Sequence, residues 1–123
     1  MKYLIFLLFS FNVFAKDDIN NTEQKIMSAL ESEIRTDDEK ARDSNRRPVS
    51  TLKFFEFSDD MKVVELLPGG GWYTKLLAPV LNEKGVLYVA YGASGVKKNL
   101  LDTNEDFKNV KIAAKDAEIY RED

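Results

Sequence analysis

The strongest constraint in the sequence is a change of pattern near its centre. Val63-Val64-Glu65-Leu66-Leu67 is a short apolar run that stops at Pro68-Gly69-Gly70-Gly71. From Trp72 to Leu81 the apolar residues return at helical spacing, as Tyr73, Leu76, Leu77, Val80 and Leu81. A run this short reads as a buried parallel strand, and the proline and glycines turn it into a helix. Asn82-Glu83-Lys84-Gly85 closes that helix, with Gly85 placed for a left-handed stop. Val86–Tyr91, ended by Gly92, predicts a second buried strand, and Val110–Ala114 a third. Between them a helix is expected from Val96 to about Phe107, weakened by Asp102-Thr103-Asn104. The β-α-β-α-β order predicts an α/β fold. Right-handed crossovers would give a parallel sheet ordered 3-2-1, as in half of a doubly wound fold.

Upstream, Ile26, Met27, Leu30 and Ile34 predict an amphipathic helix from Thr22 to about Arg35, after a loose polar stretch from Lys16 to Asn21. Thr36-Asp37-Asp38-Glu39 has the form of a capping box opening a second, short helix. Arg42 to Arg47 is a charged connector, whose Arg42, Arg46 and Arg47 could neutralise an anion or merely solubilise a linker. Pro48 suits the first turn of a further helix with Val49, Leu52 and Phe55 on one face.

The extreme N-terminus follows a different rule. Lys2 precedes an almost wholly apolar stretch, Tyr3 to Phe14, and Val13-Phe14-Ala15 ends it with small residues in the −3 and −1 positions of a signal-peptidase site. As a helix this stretch would span about 18 Å, well short of the ~30 Å of a bilayer core. The expectation is a cleaved secretory leader, residues 1–15 with the cut after Ala15, and a periplasmic or secreted product without a stable membrane anchor. A helical segment (16–58) and a partial nucleotide-type sheet domain (59–123) would follow.

Composition removes several chemistries. The 123 residues include no cysteine and no histidine. A His/Cys zinc site, a thiol nucleophile and a Ser-His-Asp triad are therefore excluded, and an exported product must do without disulfides. A net charge of −3 with no sustained basic run argues against nucleic acid as a partner. No metal site is expected, although one built only from carboxylates is chemically conceivable. Asp37-Asp38-Glu39, Asp59-Asp60 and Arg121-Glu122-Asp123 read as caps and solvated ends.

The strand that runs into three glycines is the feature that can carry chemistry. Glycine turns the backbone sharply and leaves no Cβ between main chain and ligand. The helix that follows would present N–H groups and its positive dipole end to a nucleotide or a carboxylate. Glu65, near the strand end, could accept from an ammonium or a hydroxyl. The plainer alternative is a strand–helix turn that needs glycine only for packing. Trp72 likewise reads as a packing residue before a stacking platform.

Val63 to Pro79, reading V-V-E-L-L-P-G-G-G-W-Y-T-K-L-L-A-P, resembles the first motif of class I S-adenosylmethionine-dependent methyltransferases. It is most similar to exported, predicted methyltransferases that carry P-G-G-G-W-Y-T before a helix with L-A-P. Arg42-Asp43, Arg47-Pro48 and Thr51–Phe55 are similar to the segment preceding that motif, so the resemblance covers about Arg42 to Tyr91. It implies a Rossmann-like cofactor domain and S-adenosylmethionine as cofactor. Glu65 would meet the amino end of the cofactor's methionine, Gly69, Gly70 and Gly71 would form the turn beneath it, and Asp116 would bond the adenine amino group. Two positions depart from the motif. Leu67 stands where glycine is usual, and Tyr91-Gly92 where an acid normally pairs with the ribose hydroxyls, leaving Tyr91 to meet the ribose. The family's sheet is larger than three strands, so the chain is expected to represent its N-terminal half, with no catalytic residue assignable and an open first-strand edge prone to self-association. Two functions follow: an exported methyltransferase-like protein of unknown acceptor, or an exported binding module for a nucleotide or other small ligand without transfer activity.

Overall fold

A computed structural model describes residues 14–114, with side chains from Asn21 to Ala113. The first element, α1 (Phe14–Leu30), starts earlier and stops sooner than the sequence suggests. Lys16 to Asn21 belongs to this helix and is not loose, since no glycine or proline interrupts 14–30. The helix ends at Leu30, whose carbonyl accepts a hydrogen bond from Arg35 Nη1 at 2.7 Å. Thr22, Ile26 and Ala29 form its buried stripe, whereas Met27 is exposed and Ile34 lies beyond the helix, half-buried.

The capping box forms as read. Thr36 Oγ1 accepts from the Glu39 N–H and Glu39 Oε2 accepts from the Thr36 N–H at 2.8 Å, opening α2 (Asp37–Ala41). A single turn, α3 (Asp43–Arg46), follows, and the left-handed Arg47 (φ 44°) redirects the chain into α4 (Pro48–Phe54). Pro48 and Leu52 point inward. Phe55 does not join them: it lies past the helix end and is exposed together with Phe54, the two rings meeting edge to face.

Three parallel strands, β1 (Lys62–Leu66), β2 (Val86–Ala90) and β3 (Lys111–Ala114), lie side by side in the order β1-β2-β3. Lys62 pairs with Val86 and Leu66 with Ala90, while the β2–β3 register slips between Val89 and Ala90. One face carries Val63, Glu65, Leu87 and Val89. It is covered by α5 (Thr74–Leu81), in which every residue except Pro79 is buried. The core therefore runs from the sheet through Leu76, Leu77, Val80 and Leu81 to Ile26 and Ala29 of α1 and Leu52 of α4. Each large aliphatic side chain buried there contributes about 1.5–3 kcal/mol.

The opposite face departs from the buried strand that the sequence predicts. Val64 and Leu66 are 56% and 62% exposed, because among the described residues no element lies over them. Gly85 also plays another part than expected. Its φ is not left-handed; instead a Cβ there would stand 2.6 Å from both Leu81 Cδ2 and the Met61 carbonyl oxygen. Glycine is required because the β2 entry passes so close to α5 and to the start of β1. The helix expected from Val96 to Phe107 is broken into α6 (Ser94–Val96), a widened π-type turn (Lys97–Leu101) and a 3-10 turn (Glu105–Phe107). Asn104 caps the last of these through its side-chain oxygen, which accepts from the Asp106 N–H.

Candidate functional site

The carboxyl ends of β1 and β2 form the candidate site. In an open parallel sheet this is the edge at which loops diverge and leave a crevice. Leu67 N–H donates to the Ala90 carbonyl at 3.0 Å, so the two chain exits start side by side. Both exits are left-handed at residues that carry a Cβ, Leu67 at φ 53° and Tyr91 at φ 55°. Leu67 thus adopts a backbone conformation that favours glycine. Such a conformation costs roughly 1–2 kcal/mol per residue.

The three glycines serve different needs. Gly71, at φ 84°, is required by packing: a Cβ would lie 2.7 Å from Leu100 Cδ1 and 3.2 Å from Val96 Cγ2. Gly69 is left-handed (φ 55°) with nothing near its missing Cβ. Gly70 has neither a left-handed φ nor any heavy atom within 4 Å of where a Cβ would stand. Internal packing therefore gives no reason for glycine at position 70. On the far side, a Cβ at Gly95 would stand 3.3 Å from the Gly69 carbonyl oxygen, and one at Gly92 3.5 Å from Leu67 Cδ2. Leu67, Gly69, Gly70, Tyr91 and Gly92 are all exposed, so the crevice is an open shelf.

Glu65 is on the covered face and half-buried. Its Oε2 accepts from Thr74 Oγ1 at 2.6 Å, and its carboxylate also receives the Thr74 backbone N–H. Burial pushes Glu65 above the ordinary carboxylate value, against the lowering effect of both Thr74 contacts. The carboxylate thus caps α5 from the neighbouring strand, a helix that has no side-chain cap of its own. This corrects the expectation of helix N–H groups turned to a ligand. The helix starts at Thr74 rather than Trp72, its first N–H meets Glu65, and the Lys75 N–H meets the Gly71 carbonyl at 2.9 Å. Thr74, fully buried, is the site residue that sequence reasoning missed. Its spacing from Glu65 across the glycine turn was the available signal.

Trp72 is a packing residue. It is 5% exposed, and its Nε1–H donates to the Glu39 carbonyl at 2.8 Å. Arg46 stacks over its ring at 4.6 Å and Arg35 approaches at 5.4 Å, giving Arg46 a role the sequence left open. Lys75, also buried, reaches both Glu39 carboxylate oxygens at 2.9 Å. Burial raises the Glu39 carboxyl, but Lys75 and the Thr36 N–H outweigh it and hold it below the ordinary value. These contacts fasten the helical N-terminal segment directly to the glycine turn.

The structure brings Glu65, Gly69, Gly70, Gly71 and Tyr91 to one end of the sheet; Asp116 lies outside the described residues. Among the described residues there is no cluster of three metal-ligating side chains, and no helix is long and apolar enough to cross a membrane. No protein-family model, no curated protein and no solved structure matches the chain.

Proposed function

We propose that the chain carries the cofactor-binding half of a class I methyltransferase-type sheet, read 3-2-1 from β3 to β1, and that it binds S-adenosylmethionine at the shelf formed by Gly69, Gly70 and Tyr91. The observation that supports this reading is Gly70, a glycine that neither backbone conformation nor packing requires. Close approach of a ligand to the main chain supplies the missing reason. The residues present fit the cofactor in part. The shelf is open above Gly69 and Gly70, whereas Glu65 already serves α5 and would have to share its carboxylate with the cofactor's ammonium group. Bound there, the cofactor would supply an electrophilic methyl group, and the protein's part would be to hold and orient it. Export through a leader ending at Ala15 belongs to the same proposal, and N-terminal sequencing of the exported product tests it by whether Lys16 comes first.

A second reading, a small-ligand-binding module without methyl transfer, is favoured by Tyr91. The motif that the sequence resembles carries at this position an acid for the ribose hydroxyls, and Tyr91 offers a hydroxyl and a ring instead. Titration calorimetry with S-adenosylmethionine and S-adenosylhomocysteine decides between these and neither. The expected result is saturable heat that Gly70→Val abolishes while the melting temperature is kept. No heat at millimolar ligand from folded protein overturns the cofactor assignment. Binding with no methyl transfer to any offered acceptor selects the second reading.

A further inference from the structure

Thr74 opens α5 and is tied twice to Glu65 of β1. Its hydroxyl donates to Glu65 Oε2 at 2.6 Å, and its backbone N–H also reaches the carboxylate. Thr74 is fully buried. A β-branched side chain enclosed in this way keeps one χ1 rotamer, so its hydroxyl is a fixed donor. Glu65, in contrast, is only half-buried, and its longer side chain would sample several orientations if nothing held it. Burial works against the Glu65 charge, and both Thr74 contacts work for it. The lysine of α5 is committed elsewhere: Lys75 meets both Glu39 carboxylate oxygens at 2.9 Å. An ionised carboxylate offers about four acceptor positions, of which the two Thr74 groups take two. One carboxylate can therefore cap α5 and still accept from a further donor, for which an ammonium group is the best match.

We infer that Thr74 is the positioning residue of the site: by holding Glu65 Oε2 it presents the carboxylate, in one orientation, to the ammonium group of a nucleoside that carries an amino-acid end. The inference rests on the cofactor reading proposed above and adds a specificity to it. Glu65 touches the ligand, and Thr74 acts only through Glu65. The pair favours a nucleoside with an α-amino group over the same nucleoside without one, because the orientation of the carboxylate is fixed before the ligand arrives. Removing the hydroxyl should then weaken only those ligands whose ammonium group meets Glu65.

The test compares S-adenosylhomocysteine with methylthioadenosine, which keeps the adenosine and the sulfur but lacks the amino-acid end. Titration calorimetry of the full chain should show S-adenosylhomocysteine bound more tightly. Thr74→Val, similar in shape but without the hydroxyl, should weaken S-adenosylhomocysteine at least about tenfold and change methylthioadenosine by less than about twofold. Thr74→Ser restores the donor and should recover most of the preference. In a Glu65→Gln background, Thr74→Val should no longer separate the two ligands, because the charge it positions is gone. Thr74→Ala gives the same comparison if Thr74→Val does not fold, since it presses no methyl group on the carboxylate. Equal weakening of both ligands, weakening of neither, a serine variant that recovers nothing, or a parent protein without the preference overturns the inference and leaves the cofactor reading standing. No heat from either ligand with folded parent protein overturns that reading, and the inference with it.

Discussion

The indole N–H of Trp72 donates to the backbone carbonyl of Glu39, 2.8 Å away across 33 positions of sequence. That single bond joins the residue after the glycine turn to the second helix of the N-terminal segment. The Glu39 side chain meanwhile binds Lys75, three residues further along. The segment before the sheet is therefore part of the scaffold that sets the glycine turn. Removing the donor tests this. Trp72→Phe keeps most of the apolar volume and removes the shortest of three donors to the Glu39 carbonyl, leaving the Arg42 N–H at 3.2 Å and Arg35 Nη2 at 3.4 Å, and should cost about 0.5–1.5 kcal/mol by chemical denaturation.

Arg35 and Asp43 make a second connection in the same region. The Arg35 side chain has no exposed surface, donates from Nη1 to Asp43 Oδ2 at 2.9 Å and from Nη2 to Oδ1, and leaves its Nε without a partner. Asp43→Ala strands a buried cation and should cost about 3–5 kcal/mol. Adding Arg35→Met to Asp43→Ala should recover part of that loss, and the double-mutant cycle measures the coupling.

Gly70 and Gly71 differ in a way that stability measurements can read. Gly70→Ala should leave the unfolding free energy within about 0.5 kcal/mol, since nothing opposes the new methyl group. Gly71→Ala meets Leu100 at 2.7 Å in a left-handed backbone and should cost about 2–4 kcal/mol. Loss of S-adenosylmethionine binding in the first variant, with stability kept, is the outcome the proposed site requires.

The carboxyl groups give opposite pH signatures. Glu65 is raised in the fold, so the folded state holds its proton more tightly than the unfolded chain. Its contribution is greatest below the unfolded value near 4.5 and falls as pH rises through the folded value. Glu65→Gln keeps an acceptor for Thr74 and removes the buried charge; its melting temperature should exceed that of the parent at pH 7, with little difference at pH 4. Asp59 is held low, chiefly by the hydrogen bond from Lys25 at 2.7 Å. Glu39 is also low, Lys75 and Thr36 overcoming its burial. Their stabilisation is complete above the ordinary carboxylate values and is lost as pH falls through the depressed ones. A melting series from pH 7 to pH 3 should show this acid limb, and Lys25→Met should remove the Asp59 share.

Local elements were written into neighbouring residues. A proline and three glycines after an apolar run could only turn, the 3.6-residue spacing that follows marks a helix, and Thr36 with Glu39 carries its own capping chemistry. Such features depend on a few adjacent positions, so they are legible in one dimension. Whatever depends on distant partners emerged only when the elements packed. Packing gave Gly85 a steric role from Leu81 and Met61, placed Glu65 as the cap of α5 through Thr74, and bound Trp72 to Glu39 and Arg46. It also left Val64 and Leu66 uncovered, although their apolar run reads as buried. Apolar character states what a residue gains from burial; only the packing of whole elements determines whether anything lies over it.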